Sequence, residues 1–365
     1  MDFALSEEQE ALREGVARFC AGRIGVETLR RLEGTGFDRA LWSALAELGV
    51  FGMRADDAGG SGLADAVLVF EALGRALAPG PILWSHLAAG LVPGAAAGEV
   101  VVTGVEIAAD GSGPFVLEHL DVADVVVALR EDGIERLDAR AILAEAGAGA
   151  ERAARPLDPL TPVHRLATLP RGEPIGDAEH AERLRLEGAT LSAALLLGIA
   201  EETLALATRH AGERHQFDRP IGSFQAIKHL LADAFARQAL ARATVYAAGV
   251  LLDAPGTHPP DAPDASPPHA STATPARRVM PTASAQIQAA RPDDAARRAV
   301  AAAKLIAGDA ALTNARTCIQ VHGGMGFTWE SPVHYALKRA WVLENGFGTS
   351  RHQAEALAAA IAASA

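Results

Sequence analysis

The 365-residue chain has only two cysteines, Cys20 and Cys318, and neither stands at metal-ligand spacing. Both read as small buried hydrophobes rather than disulfide partners or metal ligands. A long apolar run is also missing: the longest, Leu191 to Ala200, falls far short of the roughly 20 residues that a membrane span needs. The N-terminus, Met1-Asp2-Phe3-Ala4-Leu5-Ser6-Glu7-Glu8, is acidic and has no apolar core segment of the kind a secretory leader carries, so the expected location is cytoplasmic. Positive charge is in deficit as well. The 33 Lys and Arg stand against 45 Asp and Glu, a formal net charge of -12, which argues against a general nucleic-acid binder resting on basic patches. A small anionic ligand stays open, because a few local arginines can outweigh the global field. No internal repeat is detected.

What is present divides into three textures, and 49% hydrophobic residues over this length suffice for two or three domains. Residues 1–98 read as helical. Ser6 and Gln9 have the form of a capping box, followed by Leu12, Val16 and Phe19 at helical spacing. A second helix is expected over Arg39 to Leu48, ending at Gly49, and a third over Ala64 to Leu77 after a loop at 56–62. Residues 99–186 change to short valine-rich runs broken by Gly, with Asp132-Gly133 as a hairpin signal between two of them. Residues 187–365 return to long Ala- and Leu-rich helices, at 189–214, 223–252, 294–321, 332–343 and from 350 onward. The segment 254–292, crowded with Pro, Ala, Ser, Thr and Asp, reads as a mobile insertion, since it cannot bury enough apolar surface to offset its ordering entropy. The expected fold is α+β but mostly α: an N-terminal helical domain, a small central β-barrel or sandwich, and a C-terminal domain of four-helix-bundle type.

Two stretches in the last region carry more specific information. Arg214-His215-Gln216-Phe217-Asp218-Arg219-Pro220-Ile221-Gly222-Ser223-Phe224-Gln225-Ala226-Ile227-Lys228-His229 and Gln320-Val321-His322-Gly323-Gly324-Met325-Gly326-Phe327 together resemble the C-terminal domain of the acyl-CoA dehydrogenase family. The resemblance implies FAD as cofactor, an acyl-CoA thioester as substrate and removal of hydrogen from its α and β carbons. It assigns Arg214 to the FAD pyrophosphate, with Gln216 and Phe217 beside the adenosine half. Gln225, near the start of the next helix, falls in the same group, and Ser223 reads as that helix's N-cap. Gln320, Gly323 and Gly324 form the turn that in the family reaches a partner subunit's FAD. Thr349 joins the cofactor set. Residue chemistry agrees, because phosphates bind to arginine forks, backbone N–H groups and helix N-termini. The plainer alternatives are a solvated helix-end cation at Arg214, a core aromatic at Phe217 and an ordinary helix cap at Gly323. Lys338 and Arg339 read either as contacts to the phosphates of CoA or as exposed cations, the latter slightly favoured.

Against this pattern stand several departures. The family's general base, a glutamate in a Tyr-Glu-Gly-Thr motif, has Phe347 at its place in Gly346-Phe347-Gly348-Thr349. The second place at which the family carries that base corresponds to Gly188. Glu187, one residue away, and Glu344, one turn before Phe347, are the carboxylates to test, against the plain reading of exposed helix charges. Thr-Glu-Pro and Gly-Ser-Asp, the patterns that pack beside the flavin ring, are absent and the middle domain is short. These departures resemble the shortened subunits of heteromeric acyl-CoA dehydrogenases, including those acting on steroid or other bulky acyl-CoA side chains. The implied partners are an electron-transfer flavoprotein and either a second copy in a homodimer or a paralogous chain in a heterotetramer. A non-catalytic subunit that completes the FAD site of a paralogue is the main alternative. Flavin monooxygenation or nitroalkane oxidation is a third, which no residue specifically requires.

Overall fold

A computed structural model describes residues 5–54, 62–108, 110–253 and 294–362. All of the expected loop except Gly62, and the whole 254–292 segment, lie outside the described residues. The N-terminal region holds α1 (Glu7–Arg23), α2 (Val26–Arg31), α3 (Arg39–Glu47), α4 (Leu63–Arg75) and α5 (Ile82–Leu87). Ser6 and Gln9 form the reciprocal capping box of α1, which turns Val16 and Cys20 inward. Asp38 caps α3 by accepting from Leu41 N, and this helix buries Leu41, Trp42 and Leu45. The first backbone groups of α4 are capped from a distance: the Asp253 carboxylate accepts from Leu63 N and Ala64 N, both at 2.8 Å.

Two sheets make the middle domain, so the sandwich form of the expectation holds. Strands β1 (Val102–Glu106), β3 (Val125–Leu129), β4 (Gly133–Asp138) and β7 (Glu173–Asp177) form one sheet in the order β1-β3-β4-β7. Strands β2 (Phe115–Glu118), β6 (Val163–Leu166) and β5 (Ala150–Arg152) form the other, and the short helix α6 (Ala139–Ala146) packs against β4. The hairpin at Asp132-Gly133 joins β3 to β4 as expected. Strand β3 is buried on both faces. Val125, Val127 and Leu129 enter the core shared with the helices, while Val126 and Ala128 enter the core between the sheets. A strand that divides two cores has no polar face, which accounts for its unbroken apolar sequence.

The long helix α7 (Ala178–Glu213) begins eleven residues before the expected Ala189, because Asp177 caps it by accepting from His180 N. The last strand, β7, ends at Asp177 and the first residues of α7 fall before position 187. Beyond the two-stranded ribbon of β8 (His215–Gln216) and β9 (Arg219–Pro220) come α8 (Gln225–Asp253), α9 (Asp294–His322), α10 (Val333–Asn345) and α11 (Ser350–Ala362). Helix α7 packs against α9, α4, α8 and α10. It comes close to α4, where a Cβ on Gly74 would overlap the backbone of Leu195 and one on Gly198 the backbone of Glu71. The apolar run at 191–200 sits inside α7, which by length and composition could span a membrane. However, 72% of its most apolar window is buried inside this fold.

Candidate active site

A cavity of about 430 Å³ opens between the three regions, within the size range of small-molecule sites. Leu73 of α4, Leu77 just beyond its end, Ile82 of α5, Leu195 and Ile199 of α7 and Val342 of α10 give it apolar walls. Polar groups enter from the middle domain and from α10. Glu106, the last residue of β1, accepts a 2.7 Å hydrogen bond from Phe347 N. Burial raises its pKa above the ordinary carboxylate value. Sequence reasoning missed Glu106, since an isolated glutamate at a strand end carries no motif; only the folded register brings it to the α10–α11 loop.

The two familiar base positions meet here. Phe347, buried and held at φ 53°, lies over Gly188 so closely that any Cβ at Gly188 would overlap its ring. Its other neighbour is Trp84, at 4.9 Å between ring centroids, and Trp84 in turn lies flat against Gly104 of β1. Thus one position is an aromatic ring and the other a glycine that makes room for it. Neither proposed substitute points into the cavity. Glu187 is buried between Arg54 Nε at 2.7 Å and Arg183 Nε at 2.6 Å. Burial alone would raise its pKa, but the two guanidinium charges and their hydrogen bonds prevail and hold it down at about 2. A carboxylate so held is a structural counter-ion and a weak base. Glu344 accepts from Ser350 N at 2.7 Å and so caps α11, together with Thr349, whose Oγ1 accepts from His352 N. The exposed-charge reading is also corrected for Glu187, and likewise for Arg339, which is buried and donates from Nε to Asp158 at 2.5 Å. Lys338 instead lies over the ring of Trp329.

At the other end of the bundle the remaining predicted residues come together. His210 near the end of α7 stacks on His322 at the end of α9, with ring centroids 4.1 Å apart, so the ribbon and the glycine turn share one end. Arg214 is the C-cap of α7, and the ribbon presents Gln216 and Phe217. Phe217 has a positive φ and is 86% exposed, which excludes the core-aromatic reading. Helix α8 starts at Gln225, so Phe224 occupies the cap position and Ser223 ends a short 3-10 turn, its hydroxyl buried without a partner. Gln320 is on the last turn of α9, exposed. Gly323 has φ 61°, and a Cβ at Gly323 or Gly324 would meet nothing within 4 Å.

The chain matches the family models "Acyl-CoA dehydrogenase, N-terminal domain" over residues 6–99 and "Acyl-CoA dehydrogenase, C-terminal domain" over residues 182–266 and 269–362. The chain belongs to the acyl-CoA dehydrogenase family. It is similar to acyl-CoA dehydrogenase IpdE2 of Mycobacterium tuberculosis, with 33% identity over 351 residues that cover 92% of this chain and 91% of that one. Its fold is that of the ChsE4-ChsE5 complex from Mycobacterium tuberculosis, at TM-score 0.76 and 24% identity over 99% of each chain. A glutaryl-CoA dehydrogenase from Mycobacterium smegmatis in complex with FADH2 gives TM-score 0.71 at 17% identity over 98% of this chain and 95% of that one. The protein is accordingly an oxidoreductase acting on acyl-CoA, with FAD as the family's cofactor.

The residues of this acyl-CoA dehydrogenase fit FAD unevenly. The open turn at Gly323-Gly324, the exposed Phe217 ring and Arg214, without a carboxylate within 4.0 Å among the described residues, suit a pyrophosphate and adenosine. The flavin-ring half is different: the Thr-Glu-Pro and Gly-Ser-Asp patterns are absent, and the face of β1 at Gly104 is covered by Trp84.

Proposed function

We propose that this chain works in the FAD-dependent α,β-dehydrogenation of an acyl-CoA thioester as one subunit of a heteromeric enzyme in the cytoplasm. The observation that carries the reading is the cavity between the three regions with Glu106 among its lining residues, beside the point where Phe347 and Gly188 meet. In this reading Glu106 takes the α-proton, and its raised pKa makes it a stronger base than an exposed glutamate. The N–H of Phe347 holds that carboxylate in place. Arg214, Gln216 and Phe217, with Gln320, Gly323 and Gly324, hold the pyrophosphate and adenosine end of FAD; Gln225 and Thr349 complete the proposed set. Bound FAD supplies the acceptor for the β-hydride, and an electron-transfer flavoprotein takes the electrons onward. Exposed Phe235 and Leu240 on α8, together with Phe217 and Phe327, support contact with a further chain, a second copy or a paralogue.

A specific observation favours a second reading. With Phe347 packed on Gly188, both familiar base positions are filled by non-acidic groups, as suits a subunit that only completes a paralogue's FAD site. Glu106→Gln separates the two. In the purified heteromer, assayed with an acyl-CoA and a chemical electron acceptor, the catalytic reading expects loss of turnover with unchanged flavin absorbance. Unchanged turnover assigns the chain the structural role.

A further inference from the structure

The cavity has a second polar end. Arg339 of α10 is 9% exposed; its Nε donates to Asp158 and its Nη1 to Ala78 O, but its Nη2 is buried without a partner. Beside it stands Glu118, the last residue of β2, whose carboxyl lines the cavity and makes no ion pair or side-chain hydrogen bond among the described residues. Nearby His119 has Nδ1 buried and unpartnered. Three polar residues thus line one end of a mostly apolar cavity, each with hydrogen-bonding capacity unspent. Leaving such groups dry is costly, so a site of this kind suits a ligand that pairs them.

The chemistry of that ligand follows from the charges. Asp158 is fully buried and accepts from Leu160 N and Thr161 Oγ1 as well as from Arg339, so it neutralises the guanidinium without using Nη2. Burial pushes Glu118 up to about 7 and holds His119 neutral down to about 3. At neutral pH this end therefore carries the charge-balanced Arg339–Asp158 pair, whose guanidinium keeps a free N–H, and a carboxyl that is protonated about half of the time and then donates as well. An oxygen acceptor without charge fits; a carboxylate would bring uncompensated charge into a buried site.

The distance between the two ends can be read in two ways. From Arg339 to Asn345 there are six residues of α10, about 9 Å of rise. Thr103 Oγ1 donates to Glu118 O at 2.6 Å, and Glu106 lies three residues along β1 from Thr103, about 10 Å at strand spacing. An extended chain advances about 3.4 Å for three bonds, so the ends are roughly nine bonds apart. Resting on the acyl-CoA reading above, we infer that the acyl group carries an uncharged keto or hydroxyl oxygen roughly nine bonds beyond its α-carbon, bound by Arg339 and Glu118. These are specificity-determining residues, remote from the reacting carbons.

Three thioesters test this on the full-length chain in the assembly in which it purifies: decanoyl-CoA, its 9-oxo derivative and its ω-carboxy derivative, titrated by calorimetry. The 9-oxo ester should bind at least tenfold more tightly than decanoyl-CoA. Glu118→Leu should erase that preference, while Glu118→Gln, which keeps a donor, should restore most of it. Because Glu118 has no partner to lose, these variants should fold, unlike replacements of Arg339 that strand Asp158. Equal affinity for the oxo and alkyl esters overturns the inference, as does an oxo preference that survives in Glu118→Leu. Tightest binding of the ω-carboxy ester overturns the assignment to an uncharged oxygen. If none of the three binds, the acyl-CoA reading itself fails, and this inference with it.

Discussion

Phe347 and Gly188 behave as one unit, and each constrains what the other can become. A methyl group on Gly188 would need the space of the Phe347 ring, so Gly188→Ala should destabilise the fold by about 1–3 kcal/mol, measured by chemical denaturation. A variant as stable as the parent would show that the ring can move aside. Glu187 makes a different demand. Its carboxyl falls from 4.5 to about 2 on folding, and such a change is worth about 3 kcal/mol. The sign follows directly: the folded pKa is depressed, so this stabilisation is present above pH 4.5 and is lost as pH falls toward 2. Glu187→Gln should cost about 3–5 kcal/mol at neutral pH by leaving Arg54 and Arg183 sharing a neutral group, and should flatten thermal stability between pH 4.5 and 2. At single positions the sequence was least informative. Glu187 looked like an exposed helix charge because both of its arginines are invisible to spacing: Arg54 is 133 residues away, and Arg183, though one turn away on α7, gives no sign that the pair is buried.

At the scale of elements, periodicity and capping carried further than pairing. The box at Ser6 and Gln9, the end of α3 at Gly49 and the β3–β4 hairpin were all legible, because each is decided by residues within a few positions of one another. The start of α7 was placed eleven residues late, since Asp177 capping was masked by the charged first turns of the helix. Non-local capping was out of reach. No local pattern announces that Asp253, at the end of α8, supplies the N-cap of α4. Both of its oxygens are used, one on Leu63 N and one on Ala64 N, so Asp253→Ala should lower stability by about 1–2 kcal/mol in a thermal melt, and Asp253→Asn by less. Equal losses from the two variants would mean that the pairing of charge with the helix dipole outweighs the hydrogen bonds.

For the whole molecule, the uneven fit to FAD leads to a test of assembly. The proposed pyrophosphate end rests on two segments that the α7–α9 packing brings to one end of the bundle, and each of them is a short local run of residues that the sequence displays. Which side chain covers β1 at Gly104 is decided by Trp84, about twenty residues upstream on α5, and no local pattern shows it. If the proposed assignment holds, the chain cradles one end of the cofactor with the other end covered, and it should hold FAD weakly alone. Purified by itself, it should show little flavin absorbance after gel filtration; co-purified with a paralogous dehydrogenase chain, the complex should be yellow. Arg214→Ala in that complex should reduce flavin content with the melting temperature of the flavin-free protein unchanged, because Arg214 is exposed and its removal empties no core. Stoichiometric flavin on the isolated chain would instead mean that Trp84 swings off Gly104 when FAD binds, so that two copies of this chain suffice to build the site.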